Sequence, residues 1–439
     1  MPSKKTRLAS IFALLLLVCC AGAPARASVT LLLEEPYGHL GAFTGVGHAA
    51  VYLPRVCAET PLKLRRCQPG ESGVVLSRYH HVGGDDWVAI PLIPYLYALD
   101  KPADVPLYAD DKLVAFLRNH YRRNHLESVA PDDPDGEPPR GNWVELVGAA
   151  YDRALYGFEV ETTAAQDDEL IARFNDAPNR EHYHVLSHNC ADFVARVLNF
   201  YYPKAVHRSY LADVGIMTPK QVAKSLVKYG RRHPEMQLST FIIPQVPGSL
   251  PRSTRAHGVV ESFLKSKKYM LPTAVLHPFI IAGLGTAYVV TGIGRFNPAH
   301  NALVLNSSHE LGPPLAAEER KVYEERLEAL LGHGRDGAKA WRELQAEARP
   351  AFDSSGQPVL EVWDGEKVIS IGLTRGNILD GGTPPQVSQD LLAARLREEL
   401  HPGGDPRAAA STVTSDWELL RRANLASESP ADTPVLQWP

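Results

Sequence analysis

The chain has 439 residues, which is enough for two domains and at least one substantial hydrophobic core. Its 46 Lys and Arg residues are slightly outnumbered by 50 Asp and Glu residues, giving a net charge of −4. This balance argues against a nucleic-acid partner, which would favour an excess of basic residues.

The first 27 residues have the pattern of a secretory signal peptide. A basic start of Lys4, Lys5 and Arg7 is followed by an apolar stretch at residues 8–20. Residues 25–27, Ala-Arg-Ala, form a small-x-small cleavage site. We therefore expect an exported protein of the periplasm or cell envelope.

Three cysteines remain after the predicted cleavage: Cys57, Cys67 and Cys190. Cys19 and Cys20 fall inside the signal peptide and fit a lipid-attachment sequence poorly. In an oxidising compartment, Cys57 and Cys67 can close a short disulfide loop, which leaves Cys190 as the odd thiol. The alternative is that Cys57 and Cys67 stay unpaired.

Residues 28–235 are predicted to form one domain that mixes strands and helices. The predicted strands cover residues 49–53, 73–79, 156–162 and 183–186. The predicted helices cover residues 111–123, 143–155 and 165–174, with another beginning at residue 190. The acidic, proline-rich stretch at 131–141 is predicted to be an exposed loop.

Cys190 is the first residue of the last of these helices. Asn189 before it is a favoured N-cap type, and apolar residues follow at helical spacing. A thiol in the first turn of a helix lies near unpaired N–H groups and the positive end of the helix dipole. Both are expected to lower its pKa and favour the nucleophilic thiolate. The alternative is a small buried thiol without chemistry.

Residues 236–294 are predicted to be a linker followed by an apolar segment, Leu271–Gly294. His277 is its one ionisable side chain apart from a tyrosine, and its length suffices for a single membrane crossing. Pro272, Pro278 and several glycines favour instead a buried or interfacial hairpin. Both alternatives remain open at this stage.

The C-terminal part of the sequence shows no recognisable set of catalytic residues. Residues 295–424 are predicted to combine helices at 316–331, 338–348 and 386–400 with a β-hairpin at 359–373. The tail at 425–439 is predicted to be disordered.

A histidine at the start of a predicted strand is a candidate partner for the thiol. His48 stands in GHAAVY at residues 47–52, and the glycines around it permit tight turns. Beside the Cys190 helix it could serve as the base of a cysteine nucleophile. His39, nine residues upstream, is the alternative.

GHAAVY at residues 47–52, followed by NCADFV at residues 189–194, resembles the circularly permuted branch of the papain-like NlpC/P60 superfamily. The two motifs are similar to those of the lecithin–retinol acyltransferase type. They are also similar to those of the N-terminal periplasmic domain of Lnb-type lipoprotein N-acyltransferases, which share a later Thr-Pro, here Thr218-Pro219. The resemblance covers roughly residues 30–230.

The resemblance implies an α+β fold of permuted papain-like type, with helices packed on an antiparallel sheet. It further implies Cys190 as nucleophile, His48 as base, and no metal or other cofactor. The expected function is an exported, cysteine-dependent acyltransferase or hydrolase that acts on a cell-envelope lipid or lipoprotein. A peptidoglycan amidase or endopeptidase, and a non-catalytic envelope protein, are the other hypotheses. Expected partners are a lipid, lipoprotein or peptidoglycan substrate and a membrane contacted through residues 271–294.

The resemblance also implies a third polar group, on the next strand, that orients the imidazole. Ser77, His80 and His81 are the candidates, because the sequence has no histidine where the lecithin–retinol type carries one. We favour His80, which shares a strand face with Val74 and Leu76, since an apolar face is expected to turn toward the core.

Overall fold

The computed structural model describes residues 27–37, 45–80, 82–101, 104–106, 109–139, 141–180, 183–246, 250–306, 347–363, 368–372 and 413–415. Several predictions concern other parts of the chain and are not addressed by it. These are the signal peptide up to residue 26, the helices at 316–331 and 386–400, most of the helix at 338–348, and the tail at 425–439.

The described residues form strands β1 (Ala27–Glu34), β2 (His48–Leu53), β3 (Val56–Thr60), β4 (Lys63–Arg66), β5 (Val74–Ser77), β6 (Val88–Pro91), β7 (Leu155–Thr162), β8 (Ser239–Ile243), β9 (Leu303–Asn306), β10 (Arg349–Phe352), β11 (Pro358–Trp363), β12 (Val368–Gly372) and β13 (Val413–Ser415). The α-helices are α1 (Leu92–Tyr97), α2 (Asp111–His125), α3 (Ala149–Asp152), α4 (Ala164–Asp176), α5 (Cys190–Tyr201), α6 (Pro219–Gly230), α7 (Val259–Lys265), α8 (Lys267–Leu276) and α9 (Pro278–Thr291).

An eight-stranded sheet is the centre of the fold, in the order β13-β9-β8-β7-β1-β2-β5-β6. All pairs from β8 to β6 are antiparallel, whereas β9 pairs in parallel with β8 and with β13. The predicted α+β class, with an antiparallel sheet and packed helices, is therefore confirmed. The strand β8 lies beyond residue 235, yet it belongs to the same sheet.

Helices cover both faces of this sheet. Leu32 and Ala50, opposite each other on β1 and β2, pack on one face with α1 and α2. Leu31 and Val51, the next pair, pack on the other face with α5 and α6. We call these the α2 face and the α5 face. Alternate residues of a strand point to opposite faces, and consecutive residues of the central strands are apolar. Both faces of these strands are therefore apolar.

Most elements predicted for residues 28–235 are found with small shifts at their ends. The strands at 49–53, 73–79 and 156–162 and the helices at 111–123 and 165–174 correspond to β2, β5, β7, α2 and α4. Residues 131–139 form the predicted exposed loop. The predicted hairpin corresponds to β11 and β12, which pair antiparallel.

Two element predictions are wrong. Residues 143–155 do not form one helix, because Gly148 adopts a left-handed conformation with φ 75° between a short 3-10 turn and α3. Residues 183–186 do not form a strand. They belong to a turn closed by the bridge between His184 and His188, and Val185 and Leu186 are exposed there.

The apolar segment forms two helices, α8 and α9, that break at His277, the residue before Pro278. The chain returns toward its starting point, since α9 contacts both α8 and α7. Of the helices in the described ranges, none combines the length and apolarity needed to cross a bilayer. We call residues 267–291 the α8–α9 hairpin.

A disulfide joins Cys57 on β3 to Cys67, ten residues along the chain. Replacing both by serine is expected to lower the free energy of unfolding by about 2–3 kcal/mol, because the unfolded chain regains the freedom of a closed loop. Urea unfolding of the double variant measures this loss. Reduction of the native protein should reproduce it, and equal stability of the two proteins would contradict it.

Candidate active site

The start of α5 is fixed by a reciprocal cap. The Asn189 side chain accepts a hydrogen bond from the backbone N–H of Asp192 at 3.0 Å, and the Asp192 carboxylate accepts one from the N–H of Asn189 at 3.2 Å. The Asn189 amide also donates to the carbonyl oxygens of Val185 and Met217, at 2.8 and 3.0 Å. Asn189 therefore ties the loops around it to the helix that begins at Cys190.

The Cys190 sulfur lies against the first peptide bond of β2. The backbone N–H groups of Ala49 and Ala191 lie close enough to the sulfur to favour its thiolate form and lower its pKa. Ala49 follows His48 directly, so the fold brings the cysteine helix to the histidine strand across a long stretch of sequence. The side chain of Cys190 is 8% exposed and that of His48 is 7% exposed, so neither is completely sealed from solvent.

The pKa of the Cys190 thiol is not lowered, although its position at the start of a helix predicted that it would be. Burial raises the pKa of Cys190 to about 12 and outweighs the two N–H groups, which act in the opposite direction. Negative charges on Glu34 and Glu145 raise it further. The prediction of a lowered thiol pKa is therefore wrong, because desolvation of a buried sulfur opposes the helix dipole and dominates it.

His48 is held between two neighbouring strands. It lies opposite Glu34 on β1, and its ring is stacked on Tyr79 with centroids 4.2 Å apart and planes 8° apart. Burial, together with the positive charge of Arg153, lowers the pKa of His48 well below its usual value. The imidazole is therefore neutral near pH 7, which is the protonation state of a general base.

A buried set of ionisable groups, which we call the Glu34–Arg153 network, surrounds this histidine. Arg153 lies 3.2 Å from a carboxylate oxygen of Glu34 and 3.2 Å from one of Glu145. The Tyr95 hydroxyl donates to Glu34 and lies 3.4 Å from the Tyr79 hydroxyl. Burial raises the pKa of Glu34, although Arg153 opposes this.

Several polar atoms of this region are buried without a hydrogen-bond partner among the described residues. They include Nε2 of His48 and Nε of Arg153. Such atoms are uncommon in a finished core, and a cluster of them is typical of a site where a substrate group or water binds.

The sheet places the two candidate groups on different faces. Because His48 precedes Ala50 by two residues on β2, its side chain points to the α2 face, as Ala50 does, whereas α5 packs on the α5 face. The thiol reaches β2 at its first residues, where the strand begins. The thiol and the imidazole therefore approach this strand end from opposite faces of the sheet.

The candidates for the third residue are placed differently from our expectation. His80 is exposed beyond Ser77, the last residue of β5, with its ring centroid 4.9 Å from that of Tyr183. Both faces of β5 are buried and His80 lies past the strand end, so an apolar strand face does not turn His80 toward the core. Tyr79 is the neighbour of the imidazole. Ser77 is fully buried opposite Ala50, with its hydroxyl unpaired among the described residues.

His39 and His81 lie outside the described residues. The Glu34–Arg153 network was missed by the sequence analysis. Its one signal in the sequence is that two acids, Glu34 and Glu35, directly follow the apolar run at residues 29–33. A charged pair at the end of a buried strand indicates partners elsewhere in the fold.

In the described part of the chain, one group of side chains has the spacing of metal ligands: Cys57, Cys67 and Glu71, with ligand atoms within 4.8 Å. Both sulfurs are joined in the disulfide and cannot act as thiolate ligands.

No protein-family model, curated protein or solved structure was found to match this chain. The resemblance to NlpC/P60-type proteins therefore rests on the motifs at 47–52 and 189–194 and on their order. Function has to be argued from the chemistry of the site.

The raised thiol pKa predicts the pH dependence of alkylation. In the folded protein, modification of Cys190 by iodoacetamide is expected to increase about tenfold per pH unit through the alkaline range without levelling off, because the thiolate fraction grows until the pKa of about 12. The urea-unfolded protein is the control and should level off near pH ~9. Peptide mass spectrometry measures both rates. A plateau at neutral pH in the folded protein would show an activated thiolate instead.

Proposed function

We propose that this protein is an exported, cysteine-dependent acyltransferase or hydrolase of the cell envelope, with Cys190 as nucleophile and His48 as general base. The observation that carries the proposal is the contact between α5, which begins at Cys190, and β2, which begins at His48, because it brings the two motif segments together. The disulfide supports an oxidising compartment.

The order of elements supports a permuted papain-like arrangement as the finer fold. The histidine strand β2 precedes the cysteine helix α5, and both belong to one α+β unit with an antiparallel core. The cap at Asn189 gives the thiol a fixed position at the start of α5. In such an arrangement the nucleophile and the base come from different layers and meet at one end of the sheet.

The proposed reaction starts from a neutral thiol and a neutral imidazole. His48 accepts the thiol proton while the sulfur forms a bond to the carbonyl carbon of an ester, thioester or amide. The tetrahedral intermediate collapses, the bond to the leaving group breaks, and His48 returns the proton to that group. Water, an amine or an alcohol then attacks the carbonyl carbon of acyl-Cys190 while His48 accepts its proton. The carbon–sulfur bond breaks and His48 returns the proton to the Cys190 sulfur, which completes hydrolysis or acyl transfer.

Two backbone groups are placed to stabilise negative charge during this reaction. The N–H groups of Ala49 and Ala191 point at the sulfur, and the second of them belongs to the first turn of α5. They are donors close to the position where an oxyanion would develop on the attacked carbonyl.

The test is formation of an acyl-enzyme. Incubation with a long-chain acyl thioester, followed by intact-protein and peptide mass spectrometry, should show an acyl group on Cys190. Cys190→Ala should abolish it, whereas the matched control Cys57→Ser/Cys67→Ser should retain it. Equal labelling of wild type and Cys190→Ala would contradict the proposal. Release of muropeptides from purified sacculi, without acyl-enzyme, would replace it with peptidoglycan hydrolysis.

A non-catalytic envelope protein is the second candidate, favoured by the burial and raised pKa of Cys190. In that case Cys190 is a core thiol, and neither acyl thioesters nor sacculi would react. The same two assays therefore decide between the candidates.

A further inference from the structure

The α8–α9 hairpin is an apolar element without a covering partner among the described residues. Neither of its helices contains a buried residue. Phe279 at the turn between the helices is 90% exposed and Val275 is 80% exposed. The other large exposed apolar side chains of the hairpin are Leu271, Leu276, Ile280, Val289 and Val290. A patch of this kind on a protein surface marks an interaction site.

The threonine hydroxyls of the hairpin are satisfied within it. Each of its three threonine hydroxyls donates to the carbonyl four residues earlier in its own helix. They are Thr273, Thr286 and Thr291, with distances of 2.9, 2.8 and 2.7 Å. A hydroxyl bonded in this way presents no unmet donor to its surroundings, as a hydrocarbon environment requires.

Charge and length favour a bilayer surface as the partner. Lys267 and Lys268 are exposed at the start of α8, Arg295 is exposed just after α9, and the sequence between them contains no acidic residue. Basic residues that flank an apolar element complement anionic headgroups. At ~1.5 Å per residue the helices are about 15 and 21 Å long, which suits insertion into one leaflet rather than a crossing of ~30 Å.

A second apolar surface lies next to the cysteine helix. Arg208 donates to the carbonyl oxygens of Leu186 and Ser187, at 3.3 and 3.2 Å, and so ties its own loop to the turn that precedes Cys190. Five exposed apolar residues of these two loops form what we call the apolar lip: Val185, Leu186, Tyr210, Leu211 and Val214.

The helix α7 connects the hairpin to both the lip and the histidine strand. The N–H of Val260 donates to the carbonyl of Ala212 in the lip loop at 3.2 Å. Just before α7, the N–H of His257 donates to the carbonyl of Gly45, in the turn before His48, at 2.6 Å. A buried ion pair of 2.7 Å between Glu261 and Lys220 fixes α7 to α6.

We propose that the α8–α9 hairpin and the apolar lip together dock this protein onto an anionic phospholipid bilayer. Apolar side chains on all sides of both helices suit surrounding lipid better than a protein groove, which would need a single apolar stripe. When both surfaces face the bilayer, the acyl chains of the lipids lie close to the loops beside Cys190. This last step rests on the proposed function, whereas docking itself does not.

Vesicle flotation of the full exported chain tests the docking. Vesicles of phosphatidylglycerol and phosphatidylethanolamine are expected to retain wild type and Cys190→Ala equally. Val275→Gln/Phe279→Gln should reduce the bound fraction at least about tenfold, because two large apolar side chains no longer enter the bilayer. The matched control is Trp363→Gln, an exposed apolar residue outside the surface, which should bind like wild type.

Equal binding of the hairpin variant and wild type would overturn the proposal. The proposal would also be overturned if wild type did not bind vesicles but formed a dimer, and if the hairpin variant were a monomer. The hairpin would then be an interface between two copies of the chain. The two proposals fail separately. Vesicle binding without any acyl-enzyme removes the chemistry alone, and acylation by a soluble thioester without vesicle binding removes the docking alone.

Discussion

Replacing Arg153 by methionine is expected to lower the free energy of unfolding by about 3–5 kcal/mol, because the carboxylate of Glu34 then stays buried without its partner. Glu34 is completely buried and Arg153 is 2% exposed. Burial already raises the pKa of Glu34, and the loss of Arg153 raises it further. A group whose pKa is higher in the folded than in the unfolded state contributes to the free energy of unfolding at low pH. This contribution is lost as the pH rises through the folded-state pKa. Arg153→Met should therefore be more destabilised at pH 8 than at pH 5.

Urea unfolding at the two pH values measures this effect. The matched control is Lys63→Met, which breaks the exposed pair with Glu59 and should change stability by less than about 0.5 kcal/mol. The double variant Glu34→Gln/Arg153→Met removes both charges and should recover part of the loss. Equal effects of Arg153→Met and Lys63→Met would contradict the assignment of a buried ion pair.

Replacing His48 by alanine is expected to slow formation of acyl-Cys190 by about 10²–10⁴-fold, the usual contribution of a general base. The lowered pKa of His48 keeps the imidazole neutral in mildly acidic solution. The acylation rate of wild type should therefore not fall between about pH 8 and 6.5, where an unperturbed histidine begins to gain a proton. The measurement is single-turnover acylation across this pH range.

Two variants separate the base from its neighbours. His80→Ala should change the acylation rate by less than about threefold, because His80 is exposed against Tyr183 rather than stacked on His48. Tyr79→Phe keeps the stacked ring and removes the hydroxyl next to Tyr95, so the rate should be largely retained. A large loss in His80→Ala, with His48→Ala unaffected, would make His80 the base.

Local sequence was sufficient for the features that depend on neighbouring residues. The start of α5 follows from Asn189 and Asp192, whose reciprocal bonds span three residues. Apolar alternation and helical spacing located β2, β5, β7, α2 and α4 for the same reason. The prediction for residues 143–155 failed because apolar spacing does not report the left-handed conformation at Gly148.

The sequence by itself determined the order of the histidine strand and the cysteine helix, the helix cap at Asn189 and the apolar character of residues 271–294. Only the tertiary structure decided the direction of the Cys190 pKa, the stacking of Tyr79 on His48, the ion pair of Glu34 with Arg153 and the exposure of the hairpin. The physical reason is that burial and charge at a site come from segments far apart in the chain. A cap or a hydrophobic period needs only residues within a few positions.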